Sequence, residues 1–312
     1  MYKYRFSIFT ATYNRANYLP EVFKCLKCQT FKDFEWIIVD DGSNDNTEDV
    51  CKSFIAEGLM PIKFIKKANG GKHTAWREAT KVFEGRYELG ADDDDVFPDN
   101  TLEIFDKHWQ TLEQEQDYDK FWEIRACVQD VYGKIVTPPL WADIVDSNYI
   151  EINYKYKFGG AEMQGCRKVE ILRNEAAVPD QFIYDEHCSN FPEIIRWTRA
   201  ARKYKTRFVS DVVRIYIHRE GESLTSSNKG PKRSIRKTFN NIIGEIYALN
   251  EYRDLLLKHK KLSYLKTIFL LAFHQFCVRK ILTKHLEHTI DKILVWLATF
   301  PAGLVYLIRE KL

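Results

Sequence analysis

The sequence predicts an α/β fold in which helices flank a mostly parallel sheet, followed by a C-terminal helical extension. The first hundred residues alternate between apolar runs with a period of two and helical patterns, which is typical of βα units. Polar or acidic residues directly follow three of the strand patterns, at the strand ends where open α/β sheets bind ligands. Beyond residue 228 the patterns are helical, increasingly apolar and basic.

The N-terminal elements follow from the spacing of apolar residues. Alternation predicts strands at residues 6–11, 34–39, 62–66 and 87–91. Helical spacing predicts helices at residues 18–29, 45–56, 72–83 and 99–113. In the last of these helices, Leu102, Phe105 and Trp109 share one face and predict a buried side.

The middle of the chain is less regular. The predicted elements are a strand at 120–130, an irregular stretch at 138–149, a Gly-Gly turn with a short strand and a helix start within 159–174, a helix at 192–204 and a closing strand at 207–218. Residues 221–233 are rich in Gly, Ser, Lys and Pro, which predicts a loop at a domain edge. We therefore expect one domain over 1–228, with halves 1–115 and 116–228, and an extension over 229–312.

Charge is unevenly distributed along the 312 residues. The whole chain has a net charge of +3, but residues 229–312 contain 16 Lys and Arg against 6 Asp and Glu, a net +10, which leaves −7 on residues 1–228. A basic tail favours an anionic partner, either membrane lipid or nucleic acid, and its apolar content favours lipid. The seven cysteines form no disulfide framework and the N-terminus lacks a signal-peptide pattern, so we expect the cytoplasm.

Two apolar runs lie in the extension, at residues 264–278 and 293–308. Each is shorter than the roughly 20 residues of a membrane-spanning helix, and Pro301 and Gly303 are predicted to interrupt the second. Helices in the membrane interface, with basic flanks on anionic lipid, suit this length and charge. The alternative is that these helices pack on the first domain or in a dimer.

Four consecutive aspartates, Asp92 to Asp95, follow the fourth strand pattern, and we call them the acidic turn. Neighbouring carboxylates repel and raise each other's pKa, so such a turn is costly without a counter-ion. A hard cation such as Mg²⁺ is the usual compensation, held by one or two carboxylates and substrate phosphates. The alternative is a solvated acidic loop.

Polar residues also follow the first two strands. Thr12-Tyr13-Asn14-Arg15 comes after the first and Asp40-Asp41-Gly42-Ser43 after the second, so three strand ends offer groups to one nucleotide. No G-x-G-x-x-G follows the first strand and no G-x-x-x-x-G-K-[ST] occurs, which excludes the usual dinucleotide and P-loop sites.

Four segments in this order resemble one known family. They are Phe-Thr-Ala-Thr-Tyr-Asn-Arg at 9–15, Ile-Val-Asp-Asp-Gly-Ser-Asn-Asp-Asn-Thr at 38–47, Asn-Gly-Gly-Lys-His-Thr-Ala at 69–75, and the acidic turn. Over about residues 4–220 the chain resembles family 2 glycosyltransferases, whose fold is the nucleotide-sugar-binding GT-A fold. Later segments resemble a bacterial branch that builds surface polysaccharides; they are Gly160-Ala161-Glu162, Phe191-Pro192-Glu193 with Trp197, and residues 203–208.

The resemblance implies roles for the residues of the nucleotide-sugar site. Tyr13 lies against the nucleobase, Asp41 accepts a hydrogen bond from a uracil N–H, and Lys72 meets the diphosphate at a helix start, where helix N–H groups favour anions. Thr12, Asn14 and Arg15 belong to the same site. The alternatives are a turn-forming Asp41 and a solvated Lys72.

The resemblance also implies a divalent metal, Mn²⁺ or Mg²⁺. The family has Asp-x-Asp in the acidic turn, and counting back from Pro98 aligns that triplet with residues 91–93, where Ala91 replaces the first Asp. Asp93 is then the direct metal ligand. Asp92 contacts the ribose or a metal-bound water, and Asp94 supports these groups without touching the metal. His218 completes the metal site or is an ordinary surface histidine.

Inverting transfer needs a base for the acceptor hydroxyl, and the family places that carboxylate where Glu193 stands. An ordinary acid at a helix N-terminus is the alternative for Glu193, and Asp185 and Glu186 are the alternative bases. Glu162 and Trp197 are the predicted acceptor-binding residues.

Together these features predict an inverting, metal-dependent glycosyltransferase on the inner face of the plasma membrane. Its donor is a nucleotide-diphosphate sugar, with UDP favoured, its acceptor is a glycan or a lipid-linked glycan, and a homo-oligomer is compatible with the sequence. One alternative is a sugar nucleotidylyltransferase, but residues 10–16 are not the Gly-rich basic loop that such an enzyme carries. The other is a non-catalytic nucleotide-sugar-binding membrane scaffold, which would not need Glu193.

Overall fold

The computed structural model of the chain describes residues 2–155, 162–177, 191–217 and 235–311. The chain divides into two compact units: a first unit of Met1–Val178 with Arg196–Glu220, and a second unit of Pro179–Ile195 with Gly221–Leu312. The predicted domain boundary at residue 228 lies outside the described residues, and the predicted halves 1–115 and 116–228 stay a prediction as well.

The first unit is built on one sheet, which has eight strands within the described ranges. They are β1 Tyr4–Thr12, β2 Phe34–Asp40, β3 Ile62–Lys66, β4 Gly85–Gly90, β5 Phe121–Asp130, β6 Ile144–Ser147, β7 Met163–Lys168 and β8 Lys205–Tyr216. Their order is β3-β2-β1-β4-β7-β5-β8-β6. Pairs β1–β2, β1–β4, β2–β3 and β5–β8 are parallel, and β4–β7, β5–β7 and β6–β8 are antiparallel, which confirms a mostly parallel α/β sheet.

Helices cover both faces of this sheet. They are α1 Leu19–Cys28, α2 Thr47–Glu57, α3 Lys72–Val82, α4 Thr101–Glu113, α5 Tyr149–Lys155, α6 Val169–Arg173 and α7 Ile194–Ala201. Phe6 and Ile8 belong to the apolar cluster that contains the buried faces of α1 and α4, whereas Phe9 belongs to the cluster that contains α3. Successive strand residues point to opposite faces, so these separate clusters place a core on each side of the sheet.

The strand β7 was predicted only as a short strand, without its direction. It runs antiparallel between β4 and β5, which makes β5 and β8 parallel to β1 and β4. The ends of β1, β2, β4, β5 and β8 therefore share one edge of the sheet, which we call the carboxyl edge. The stretch predicted as irregular contains β6 and the start of α5, because short elements on a sheet edge leave little periodicity.

The second unit is helical in its described part. It contains α8 Ile235–Glu251, α9 Arg253–His259, α10 Lys261–Val278 and α11 Thr289–Lys311. Helix α10 buries residues such as Ile268 and Leu271, and its Phe276 ring lies against Gly303 of α11, where an added Cβ would come within 3.1 Å of the ring. Buried Asp291 of α11 accepts hydrogen bonds from the Tyr264 hydroxyl and from Arg253 Nε at 3.1 Å.

The predicted interruption of the last helix at Pro301 and Gly303 is wrong, since α11 continues through both residues. Proline removes one backbone hydrogen bond, and packing of Gly303 on Phe276 holds the helix across that point. Among the described residues, one stretch, Thr289–Ile308, is long and apolar enough to cross a membrane, with a mean hydropathy of 1.5 and 17% of it buried. Length and composition alone are weak evidence for a membrane span.

Candidate active site

The loops after β1 and β2 are tied together at the carboxyl edge. Asp41 N–H donates to Thr12 O at 2.9 Å, Asn14 N–H donates to Ser43 Oγ at 2.8 Å, and Asn44 N–H donates to Asn14 Oδ1 at 2.8 Å. Asn14 has a φ of 52°, a left-handed conformation that asparagine tolerates better than most residues. This turn leaves the neighbouring Tyr13 ring 45% exposed, so a face of the ring is accessible at this edge.

Asp41 holds the loop that follows β3. Its Oδ1 accepts from Lys67 Nζ at 2.5 Å and Gly70 N–H at 3.0 Å, and its Oδ2 accepts from Gly71 N–H at 2.7 Å and Asn69 Nδ2 at 3.2 Å. A carboxylate offers about four lone-pair sites, so these donors fill them. Any further donor to Asp41 must replace one of the four, and the longest of these bonds is the one from Asn69.

Lys72 is the first residue of α3, directly after Gly71, whose φ of 91° makes glycine the suitable residue there. The Lys72 ammonium lies 2.7 Å from Asp92 Oδ1. The start of α3 and the acidic turn are therefore neighbours.

Three basic side chains pair with the acidic turn. Arg15 Nε lies 2.8 Å from Asp93 Oδ1 and Arg15 Nη2 lies 2.8 Å from Asp94 Oδ2. The Lys72 ammonium pairs with Asp92, as described above. Arg214 of β8 lies 3.2 Å from Asp95 Oδ1 and 2.7 Å from Glu162 Oε2.

These ion pairs contain five carboxylates and three cations, an excess of two negative charges once all five carboxylates are ionised. Burial raises the pKa of Asp93 to about 7, against the lowering effect of Arg15, and raises the pKa of Asp95 to about 6, against that of Arg214. Desolvation opposes ionisation of Asp92 too, but Lys72, Arg214 and Arg15 outweigh it and the net pKa of Asp92 is lowered. An excess of two negative charges on oxygen ligands fits one divalent cation.

Ala91 lies in the buried apolar cluster beneath the turn, and its carbonyl accepts from Thr10 Oγ1 at 2.7 Å. A carboxylate at this position would be buried among apolar side chains, so the acidic side chains of the turn begin at Asp92. Within the turn, the Asp92 side chain is 49% exposed, whereas Asp93 is buried beneath Arg15. Asp92 is thus the more accessible of the two predicted ligands.

The other predicted site residues have different surroundings. Trp197 is only 8% exposed and stacks beneath the Arg167 guanidinium, 4.2 Å from its ring centre, so the prediction that it contacts an acceptor does not fit this position. Glu162 has an exposed carboxylate paired with Arg214. Glu193 directly precedes α7, in the part of the chain assigned to the second unit. His218, Asp185 and Glu186 lie outside the described residues.

Sequence reasoning missed Lys67 and Arg214. Lys67 directly follows β3, so the rule that polar residues at strand ends form ligand sites would have included it. Arg214 lies inside β8 and reaches the acidic turn where its neighbour Ile215 forms an antiparallel bridge with Val96. No single-sequence pattern indicates such a pairing.

A parallel sheet whose carboxyl edge carries an acidic turn, a helix start and two interlocked loops defines a nucleotide-binding α/β protein of the GT-A type. Comparison with known proteins identifies the family. Residues 7–127 match the family model "Glycosyl transferase family 2". Over these residues, which are less than half of its length, the chain therefore resembles the family 2 glycosyltransferases.

Two curated relatives come from bacteria. The minor teichoic acid biosynthesis protein GgaB of Bacillus subtilis (strain 168) is 34% identical over 113 residues, which are 34% of this chain and 13% of GgaB. Glycosyltransferase GlyA of Streptococcus pneumoniae serotype 4 is 26% identical over 218 residues, which are 70% of this chain and 27% of GlyA. The chain thus spans less than a third of the length of either relative.

Solved structures share the fold. TarS 1-349 of S. aureus in complex with UDP-GlcNAc matches with a TM-score of 0.59 at 17% identity, over 98% of this chain and 90% of that chain. The mannosyltransferase PcManGT from Pyrobaculum calidifontis, in complex with GDP-Man and Mn²⁺, matches with a TM-score of 0.53 at 15% identity, over 99% of this chain and 85% of that chain. At these identities the likeness establishes the fold alone.

Proposed function

We propose that this chain is an inverting, metal-dependent glycosyltransferase of bacterial surface polysaccharide synthesis. It transfers a sugar from a nucleotide-diphosphate donor, with UDP as the favoured nucleotide, to a hydroxyl of a glycan or lipid-linked acceptor. The observation that carries the proposal is the acidic turn, neutralised except for two charges, beside the Asp41 loop in a family 2 domain. Similarity to GgaB, a minor teichoic acid biosynthesis protein, supports a role in the synthesis of a surface polymer.

The donor is bound along the carboxyl edge. The exposed ring of Tyr13 stacks on the nucleobase, and the base N–H takes the place of Asn69, the most distant of the four donors to Asp41. Thr12 and Asn14 shape this turn. Lys72 and the first N–H groups of α3 meet the diphosphate, so Lys72 exchanges its Asp92 partner for phosphate oxygen.

Mn²⁺ or Mg²⁺ fits the two excess negative charges of the acidic turn, with Asp92 and Asp93 as the residues that would hold it. When bound, the metal supplies positive charge against the charge that develops on the leaving diphosphate. Arg15 and Arg214 keep the remaining carboxylates neutralised, since each is already paired with a residue of the turn.

Glu193 is the proposed general base. The acceptor hydroxyl oxygen forms a bond to the anomeric carbon, its proton passes to the Glu193 carboxylate, and the bond from that carbon to the diphosphate oxygen breaks. The nucleoside diphosphate leaves with the electron pair, and attack from the opposite face inverts the anomeric configuration.

The second unit is proposed to bind the membrane interface through α11. The exposed face of this helix is apolar and free of charge among its described side chains; its large members are Ile290, Ile293, Trp296, Leu297, Phe300, Leu304, Val305, Leu307 and Ile308. Exposed Arg279, Lys280 and Lys284 precede it and suit anionic lipid on the inner face of the plasma membrane.

A panel of UDP- and GDP-sugars, assayed for release of the nucleoside diphosphate with and without Mn²⁺ or Mg²⁺, tests the reaction class. We expect one UDP-sugar to be hydrolysed slowly without acceptor, and only with metal. Equal release in EDTA would contradict the metal, and release of pyrophosphate from a nucleoside triphosphate and sugar phosphate would instead support a nucleotidylyltransferase.

Glu193→Gln tests the base. We expect kcat to fall by roughly 10²- to 10⁴-fold, the range for a lost general base, while the donor Kd measured by calorimetry stays unchanged. A fall in donor affinity in step with turnover would make Glu193 a nucleotide contact, and full activity would favour a non-catalytic role.

A further inference from the structure

Residues 131–144, which join β5 to β6 and include the first residue of β6, expose large apolar side chains. Tyr132 is 92% exposed and Trp141 is 52% exposed, and Val131, Ile135 and Ile144 are exposed as well. We call this segment the aromatic hairpin. Exposed aromatic rings that recur in one short segment indicate a binding surface more than chance exposure does.

Hydrogen bonds hold the backbone of the aromatic hairpin in place. Asp130 Oδ1 accepts from the N–H groups of Tyr132 and Lys134, both at 2.9 Å. Further along, Val136 N–H donates to Val128 O and Ser210 N–H donates to Asp143 O. Because both ends of the segment are anchored, the rings are presented from an ordered frame and little entropy is lost when they bind a ligand.

A short chain of contacts joins the aromatic hairpin to the acidic turn. Buried Thr137 donates its hydroxyl to Glu162 O at 2.6 Å, the Glu162 carboxylate pairs with Arg214 at 2.7 Å, and Arg214 pairs with Asp95 at 3.2 Å. All four residues belong to the first unit. The aromatic hairpin therefore lies beside the proposed donor site, at the same edge of the sheet.

The register of the strands gives the approximate distance between the aromatic hairpin and Arg214. Asp130 pairs with Tyr216, two residues after Arg214 on β8, and Tyr132 follows Asp130 by two residues. With about 3.3 Å per residue and about 4.8 Å between strands, the backbones of Tyr132 and Arg214 lie within about 20 Å. That separation suits a chain of a few sugar residues that extends from the reaction centre.

We propose that the aromatic hairpin is the binding surface for the acceptor saccharide chain, with Tyr132 and Trp141 as stacking platforms. This inference rests on the proposed function. The apolar C–H face of a sugar ring stacks on an aromatic face, while hydroxyl groups bond to polar neighbours such as Lys134 and Asp143. Exposed Lys134 lies between the two rings in the sequence and exposed Asp143 follows them, so charge interrupts the apolar surface. Such a surface suits a narrow glycan chain better than the roughly 800 Å² per partner of a protein interface.

Tyr132→Ala with Trp141→Ala in the full-length chain tests the surface, with Tyr2→Ala as the matched control. Tyr2 is also an exposed aromatic residue, but it precedes β1 and so lies at the opposite edge of the sheet. Binding is measured by electrophoresis in native gels that contain purified wall teichoic acid or a neutral glycan. We expect the wild type and Tyr2→Ala to be retarded by one of these polymers and the double variant to lose at least tenfold in affinity.

Kinetics separate this inference from the proposed function. With the retarding polymer as acceptor, the double variant should raise the acceptor KM at least tenfold and leave donor hydrolysis without acceptor unchanged, and Tyr132→Phe with Trp141→Phe should restore binding. Unchanged retardation and KM in the double variant, or no retardation of the wild type by any polymer, would overturn the aromatic hairpin as the acceptor surface. Absence of donor hydrolysis in every form of the protein would instead overturn the proposed function.

Discussion

At Ala91 the chain departs from the Asp-x-Asp pattern of the family that it resembles. The structure places this position in the apolar core, and the carboxylates that follow it supply the charge of the turn. The acidic turn also shows a limit of prediction from sequence. The acidic turn was identified from its composition, but its counter-ions Arg15, Lys72 and Arg214 come from three distant segments and are known only from the fold.

Asp93→Asn is expected to reduce transfer at least 100-fold and to leave the fold intact. The amide keeps a partner for Arg15 Nε but removes a negative charge on which the metal depends. Burial and the neighbouring Asp92 and Asp94 raise the pKa of Asp93 to about 7. Removing the Asp93 charge therefore also relieves repulsion, and the free energy of unfolding should hold or rise. Asp33→Asn, at an exposed position before β2, is the control and should retain activity.

Glu88 offers a prediction about pH. This buried carboxylate lies 3.2 Å from Arg167, and burial raises its pKa to about 7, against the lowering effect of Arg167 and Arg196. A raised carboxyl pKa means that the folded state binds the proton more tightly than the unfolded state does. The stabilisation is complete below the unfolded pKa near 4.5 and is lost as pH rises through 7, by about 3 kcal/mol at most.

Glu88→Gln should therefore flatten the decline in the free energy of unfolding between pH 5 and pH 8. Urea titrations followed by tryptophan fluorescence suit this test, since every tryptophan except Trp296 belongs to the first unit. The exposed Glu103→Gln serves as the control and should keep the wild-type slope. A Glu88→Gln slope equal to that of the wild type would show that Glu88 keeps an ordinary pKa in the folded protein.

At the scale of elements, strongly periodic segments were predictable and context-dependent ones were not. Strands β1 to β4 and helix α4 form where they were predicted; β1, β2, β4 and α4 are largely buried, whereas β3 is half-buried along most of its length. The antiparallel direction of β7 depends on its partners β4 and β5, which are distant in sequence. Helix α11 was predicted too short, because Pro301 breaks helices in most settings whereas packing on α10 sustains this one.

The exposed face of α11 carries the element-scale prediction. Trp296→Gln, Phe300→Gln and Leu307→Gln together should lower partitioning onto anionic vesicles at least 100-fold, because each buried apolar side chain contributes about 1.5–3 kcal/mol. These side chains are exposed, so the fold should be unaffected. Leu59→Gln, an exposed apolar position in the first unit, is the control for flotation assays. A triple variant that floats with vesicles as the wild type does would contradict binding through α11.

At the scale of the whole molecule, charge is unevenly distributed along the chain. Residues 229–312 contain 16 basic and 6 acidic residues within a chain of net charge +3, so the remaining sequence is net acidic. An anionic membrane attracts the basic part and repels the acidic part. This polarity supports the proposal that the second unit binds anionic lipid.

Salt dependence tests this division. Each basic residue near an anionic surface contributes about 1 kcal/mol, and the screening length falls from about 10 Å at 0.1 M salt to about 3 Å at 1 M. Flotation of the full-length protein with anionic vesicles should therefore weaken steeply as NaCl rises from about 0.05 M to about 1 M. It should not vanish, because apolar burial by α11 persists at high salt. Neutral vesicles are the control, and we expect weak binding to them that salt does not reduce. Equal binding to neutral and anionic vesicles at low salt would show that the basic residues of the second unit do not face the membrane.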